Sequence, residues 1–296
     1  MLVVLRLGRK HSFPKGASIQ NIHHSSFIIK TAMPTIKEVT AHLESIAPPS
    51  YQEGYDNAGL ITGDESWEAT NVLCCLDATE AVVDEAIQRG CNLVVAHHPI
   101  VFKGLKRLNG RNYVERTIIK AIKNDVAIFA IHTNLDNVLH RGVSARIGER
   151  LGLLNASILA PKAEVNDPAV GAGIIGELPQ AMAESDFLLF LKKKMHTDCI
   201  RHTPLLGSPI KTVALCGGAG SFLLSVAIAR KADVYITGDF KYHEFFDADG
   251  HLVVADIGHF ESEQFTIDLL QEIISEKFTI FAPLKTSVNT NPVHYL

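Results

Sequence analysis

The sequence predicts an α/β protein of two units, each a mostly parallel sheet flanked by helices. Three observations carry this. Short apolar runs alternate with segments of helical period, and the alternation occurs twice along the chain. The runs themselves are nearly continuous in apolar residues, as in strands covered on both faces. Their spacing leaves a helix between successive strands, which parallel pairing requires. An apolar fraction of 47% and a charged fraction of 20% over 296 residues supply the core for such layers.

Residues 1–32 stand apart. They contain no Asp or Glu, carry Arg6, Arg9, Lys10, Lys15 and Lys30, and are rich in Ser. That composition suits an organellar transit segment. The alternative favoured here is an extension upstream of a native start at Met33, with no part in chemistry. Charge interrupts the opening MLVVLRLGRK too early for a secretory signal.

From Thr35 the pattern turns helical. Ile36, Val39, Leu43 and Ile46 share a face, Thr35 and Glu38 fit a capping box, and Pro48-Pro49 stops the helix. NVLCCLD is a buried strand, ATEAVVDEAIQRG a helix ending at Gly90, and CNLVVAHH the next strand. ERTIIKAIKND is a second helix of this block and VAIFAIHTNLD a third strand. The pattern recurs in IKTVALCGGAG, read as a strand with a glycine turn, then SFLLSVAIARKA as helix and DVYITGDF as strand. HLVVADIGH is the last strand and SEQFTIDLLQEIISEKF an amphipathic helix. Between the blocks, 154–209 has weaker periodicity, with GAGIIGELP as a strand and turn and FLLFLKKKM as a helix whose lysines are solvated. The expected division is 33–155 for the first unit and 156–296 for the second, with helix 262–278 returning to pack on the first.

Charge and composition narrow the partners. A formal net charge of −4 gives no electrostatic case for duplex nucleic acid, and no run approaches the roughly 20 apolar residues of a membrane helix. Five scattered cysteines without a CxxC pair read as buried reduced thiols in a cytoplasmic protein.

Functional groups gather at the carboxyl ends of parallel strands. Here those ends carry His97-His98, then His132 and Asp136 in HTNLD, then Asp239, His243 and Glu244 in GDFKYHE, then His259, Glu261 and Glu263 in GHFESEQF. Each has a bland reading. A lone strand-end histidine is usually a hydrogen-bonded structural residue, an aspartate a helix cap, a first-turn glutamate a partner of the helix dipole. Together, imidazoles and carboxylates are the donors of Zn, Fe and Mn sites. Side chains of consecutive residues in an extended strand diverge, so His97 and His98 suit two ions with a bridging carboxylate better than one ion. His259 and Glu263, four apart at a strand-to-helix turn, can meet in one place.

The ordered segments GYDNAGL, VVAHHPIVF, HTNLD, GDFKYHE and GHFESE resemble the Nif-three-like family, also named as homologues of a type 2 GTP cyclohydrolase I. The resemblance runs from about Met33 to the end. It implies a two-domain α/β protein with a dinuclear metal centre, assembled as a homohexameric ring. The ligands it implies are His97, His98, Asp136, His259 and Glu263, with Glu263 bridging two divalent ions (Zn, Fe, Mn or similar). His132 is then expected behind the ligands, orienting Asp136 or a water, and Glu261 toward solvent. Tyr55 stands where the family commonly has tryptophan.

CGGAG lacks the lysine and spacing of a phosphate-binding loop and is read as a structural turn rather than a nucleotide cradle. No GxSxG elbow supports serine chemistry. The expected function is metal-dependent hydrolysis of a nucleotide, as in a cyclohydrolase, or of a phosphoester, with His132, His243 or Asp239 as proton carrier. The competing expectation is a metal-binding scaffold or regulator acting through protein contacts.

Overall fold

In a computed structural model, residues 33–296 are described, so the basic extension 1–32 lies outside the described residues. Helix α1 (Ile36–Ile46) is capped as its sequence requires: the Thr35 hydroxyl accepts from the Glu38 amide at 3.2 Å, and the Thr35 amide donates to the Glu38 carboxylate at 2.7 Å. Edge strand β1 (Gly59–Thr62) follows, then the crossovers β2 (Val72–Asp77), α2 (Glu80–Gln88), β3 (Leu93–His98), α3 (Tyr113–Lys123) and β4 (Ala127–Ala130). A short turn of helix, α4 (Thr133–Asp136), and α5 (Val143–Leu151) lead to the second sheet.

That sheet contains β5 (Leu154–Pro161) and β6 (Gly171–Met182). After α6 (Glu184–Met195) come β7 (Arg201–His202) and β8 (Ile210–Ala219). Helix α7 (Leu224–Ala229), β9 (Val234–Gly238) and β10 (Val253–Asp256) complete it. Two helices follow, α8 (His259–Glu263) and α9 (Thr266–Lys277), and β11 (Leu284–Lys285) rejoins the first sheet.

The first sheet has the order β1-β4-β3-β2-β11, parallel except at β1. Both of its faces are covered, which is why β2 and β3 are apolar throughout. Cys74 and Val95 point toward α1 and α9, where Ile36, Leu43, Leu270 and Ile274 bury. Leu73, Cys75 and Val94 point to α2 and α3, against Val82, Ala86 and Ile118.

The second sheet, β5-β6-β8-β9-β10-β7, is mixed: only β8-β9 and β9-β10 are parallel. Helices α5 and α6 cover one face with Ile147, Leu151, Phe187 and Leu191. The segment expected as a short strand and turn around GAGIIGELP is instead the 12-residue β6. Its outer part is exposed and it pairs antiparallel on both sides, so it shows no long apolar run. The glycines read as a turn after the strand, Cys216–Ala219, lie within β8 itself, and only Gly220 lies beyond it. Four of the five cysteines are buried and all are free. No helix among the described residues is long and apolar enough to cross a membrane.

Candidate metal centre

The carboxyl ends of β2 and β3 in the first sheet meet the end of β8 and the turns that follow β9 and β10 in the second. His97 and His98 finish β3. Their rings lie with centroids 4.8 Å apart, and each touches a different oxygen of Glu263: His97 Nε2 is 3.7 Å from Oε1, and His98 Nε2 is 2.9 Å from Oε2. His259 Nε2 reaches Oε2 at 3.1 Å. Asp136, at the end of α4, places Oδ1 3.6 Å from His97 Nε2. The five residues expected as ligands are therefore brought to one place.

The outer nitrogen of each ring is anchored. The Nδ1–H groups donate to the Ile131 carbonyl from His97 at 2.9 Å, to Asp77 from His98 at 2.9 Å, and to Asp239 from His259 at 2.8 Å. His132 repeats the pattern, donating from Nδ1 to Asp56 at 2.8 Å. Such a bond fixes both tautomer and ring orientation, so every Nε2 is presented inward. Asp77 is the register partner of His98 across β2 and β3, which makes that contact a property of strand pairing.

Glu263 is held by absence of side chains opposite it. A Cβ on Gly218, whose φ is +64°, would overlap Glu263 Oε1, while one on Gly217 would collide with Val143 of α5. The Gly218 amide donates to Ser262 Oγ at 2.9 Å, and that hydroxyl donates to the His259 carbonyl at 2.8 Å, fixing α8 against the strand. Gly238 gives α8 room to start, since a Cβ there would lie 2.8 Å from the His259 amide nitrogen. The glycine segment is neither a simple turn nor a phosphate cradle; it is the wall behind a carboxylate.

Electrostatics bind the cluster together. Burial opposes charge on His98, but its bonds to Asp77 and Glu263 outweigh it and raise the pKa to about 10. For His259, burial is overcome by the negative charge of Glu263 and the bond to Asp239, giving about 11. Glu263 is held well below the usual carboxylate range despite its burial, chiefly by the charge of His259. Burial lowers His97, while burial and the charge of Glu263 push Asp136 well up.

Two polar atoms at the middle are left over. His97 Nε2 and Asp136 Oδ1 are buried and have no hydrogen-bond partner. A buried nitrogen and a buried carboxylate oxygen that face each other unsatisfied are costly, and a cation between them would satisfy both. Two groups of donor atoms fit such an ion, each lying within 4.8 Å of one another: His97, Asp136 and Glu263, and His98, His259 and Glu263. A third, His97, His98 and His132, lacks a carboxylate. The donor set fits a divalent metal of the Zn, Fe or Mn type.

The remaining expected residues separate. His132 is oriented by Asp56 rather than set behind Asp136. Asp239 is already engaged by His259, and His243 stacks near Phe246 without lining the cavity. Glu261, expected toward solvent, is buried and accepts from Asn291 at 3.2 Å, because the end of the chain passes over it. Asp56 and Asp77 orient two of the rings without any local motif that marks them, although Asp56 lies inside the GYDNAGL segment.

The cluster opens into a cavity of about 1380 Å³ bordered by Tyr55, Phe102, Tyr113, Phe222 and Tyr295. Tyr55 is two-thirds exposed and stacks on Phe102 at 6.5 Å.

Comparison with known proteins agrees with this architecture. The family described as Duf34/NIF3 (NGG1p interacting factor 3) matches residues 34–292. A GTP cyclohydrolase 1 type 2 homolog from Clostridium perfringens is 33% identical over 243 residues, covering 82% of this chain and 92% of the relative. One from Clostridium acetobutylicum is 31% identical over 258 residues, covering 86% and 96%. The crystal structure of a Bacillus cereus protein related to NIF3 superposes with a TM-score of 0.82 at 26% identity, over 90% of this chain and all of the other. Matched over nearly all of its described length and more than 30% identical to two relatives, the chain belongs to the Duf34/NIF3 family.

Proposed function

We propose that this protein is a dinuclear metal-dependent hydrolase. His97 and Asp136 would hold one cation and His98 and His259 the other, with Glu263 shared by both groups of donors. The observation that carries this reading is the unsatisfied pair His97 Nε2 and Asp136 Oδ1, buried beside a carboxylate whose two oxygens already face different histidines. The chemistry such a pair of cations would supply is polarisation of the bond under attack and a water acidic enough to act near neutral pH.

The chain's own groups supply the rest. Asp56 accepts a hydrogen bond from His132 Nδ1–H and leaves Nε2 facing the other histidines, so His132 would take a proton from water and return it to the leaving group. Asp77 and Asp239 hold the rings of His98 and His259 in place. Aromatic side chains at the cavity mouth would bind a flat or apolar part of the substrate and limit water. The cavity admits a molecule of nucleotide size, and the name borne by the clostridial relatives points to a purine nucleotide. Water addition would then open a ring; with a phosphoester it would displace the leaving group in line.

The test is elemental analysis of the purified protein, then a screen of nucleotides and phosphoesters with and without chelator. Turnover that chelation abolishes, added metal restores and Glu263→Ala eliminates supports the hydrolase. Bound metal with no turnover on either class favours a scaffold acting through protein contacts. Protein that takes up no divalent metal would overturn both.

A further inference from the structure

We propose that residues 286–296 form a strap that holds His98 in register for its cation, with Thr290 as the positioning residue. This inference rests on the metal-centre reading above. The strap is first clasped to α2: Thr286 Oγ1 donates to Glu85 Oε2 at 2.5 Å, and the Ser287 amide and hydroxyl donate to Oε1 at 3.0 and 2.9 Å. Glu85 is buried, and no group of the centre touches it.

Four residues farther along, the strap reaches the centre. Thr290 Oγ1 donates to Asp77 Oδ2 at 2.7 Å, Asp77 Oδ1 accepts from His98 Nδ1 at 2.9 Å, and His98 Nε2 donates to Glu263 Oε2 at 2.9 Å. Asp77 thus has one oxygen for the imidazole and one for the strap. With the hydroxyl in place its carboxylate has a single orientation; without it the carboxylate can rotate, and the ring it steers is no longer fixed. Beyond Thr290, the Asn291 side-chain amide donates to Glu261 in α8, and Thr290 to Val293 line the cavity beside His98, His259 and Glu263. The strap therefore joins the end of β2 in one sheet to the helix that follows β10 in the other.

Coupling of this kind is reciprocal: a strap that favours the cation must be favoured by it. Groups that orient a ligating histidine change metal affinity by about 10–100-fold when lost, and Thr290, one bond farther out, should act near the lower limit.

The experiment compares Thr290→Val, which keeps the shape and removes the hydroxyl, with Thr290→Ser, which restores it. Mn²⁺ titration by calorimetry should show one of two sites weakened about tenfold in Thr290→Val and recovered in Thr290→Ser. Trypsin cleavage after Lys285, which frees the strap, should be slower in Mn²⁺-loaded than in metal-free parent protein, and equally fast in both states of Thr290→Val. Parental affinity in Thr290→Val, or equal losses in both variants, overturns the strap while leaving the centre intact. A parent protein that binds no cation overturns the centre and the strap with it. Thr290→Ala serves the same purpose should the valine variant fail to fold.

Discussion

The two sheets hold their halves of the cluster by different means. In the first, His97 and His98 are the last residues of a buried strand, and hydrogen bonds fix their rings: a backbone carbonyl for one, the neighbouring strand's Asp77 for the other. In the second, His259 and Glu263 sit on a helix of five residues that no long strand carries into place. A bond to Asp239 orients the His259 ring, and space decides where Glu263 and the start of α8 can lie. Gly218 and Gly238 remove the atoms that would otherwise occupy the position of Glu263 and the start of α8. The first half rests on bonds alone, the second on one ring bond together with side chains that are missing, so they should fail under different substitutions.

The largest effect should come from filling that space. Gly218→Ala places a methyl group against Glu263 and adds about 1 kcal/mol or more of left-handed backbone strain. Because Glu263 serves both groups of donors, elemental analysis should find neither cation at stoichiometric level, with circular dichroism unchanged. Retention of two cations would show that the glycine wall is not needed.

Removing the bond that orients a single ring, one in each half, should do less. Asp77→Asn loosens only His98 and Asp239→Asn only His259, so each should weaken a single site, by about 10–100-fold. Asp239 is more exposed than Asp77, which places its effect at the lower end. Competition with a fluorescent chelator would measure both. Equal loss of both sites in either variant would contradict the separation.

Protonation distinguishes the free from the loaded centre. In the metal-free fold His98 and His259 titrate at about 10 and 11, above the value of about 6.5 for an unfolded histidine. Their contribution to stability is complete below pH ~6.5 and drains away as pH rises through the folded values. Glu263 has the opposite sign: its contribution is present above ~4.5 and is lost as acid protonates it. Metal-free protein should therefore lose melting temperature between pH 6.5 and 10. Cation binding requires unprotonated imidazole, so the Mn²⁺-induced rise in melting temperature should grow over the same interval. A metal-free melting temperature that climbs with pH would refute this account.

The smallest effect belongs to the scaffold of the first sheet alone. Thr35→Ala removes the capping box of α1 and should cost about 1 kcal/mol in denaturant unfolding, with metal content unchanged.

Much of the first region was legible in advance. Continuous apolar runs in β2 and β3, a capping box at Thr35 and histidines at a strand end all follow local rules, and a sheet of parallel crossovers keeps those rules visible. The second region obscured them. Strand β6 pairs antiparallel on both sides and leaves its far end exposed, so its sequence carries no clear period, and β5 left no strand signal. Gly218 looked like a turn because the reason for it, a carboxylate 45 positions later, is not local. Asp56 and Asp77 carried no marker of their own; their roles exist only because His132 and His98 lie beside them.

The sequence by itself determined the donor types, imidazole and carboxylate at strand ends, and the layered α/β character of the chain, because both depend on residues a few positions apart. Tertiary structure alone decided which donors share a space, which nitrogen of each ring points inward, and why glycine stands opposite Glu263. Those depend on contacts between segments that lie up to about two hundred residues apart, and only packing brings such segments within a hydrogen bond of one another.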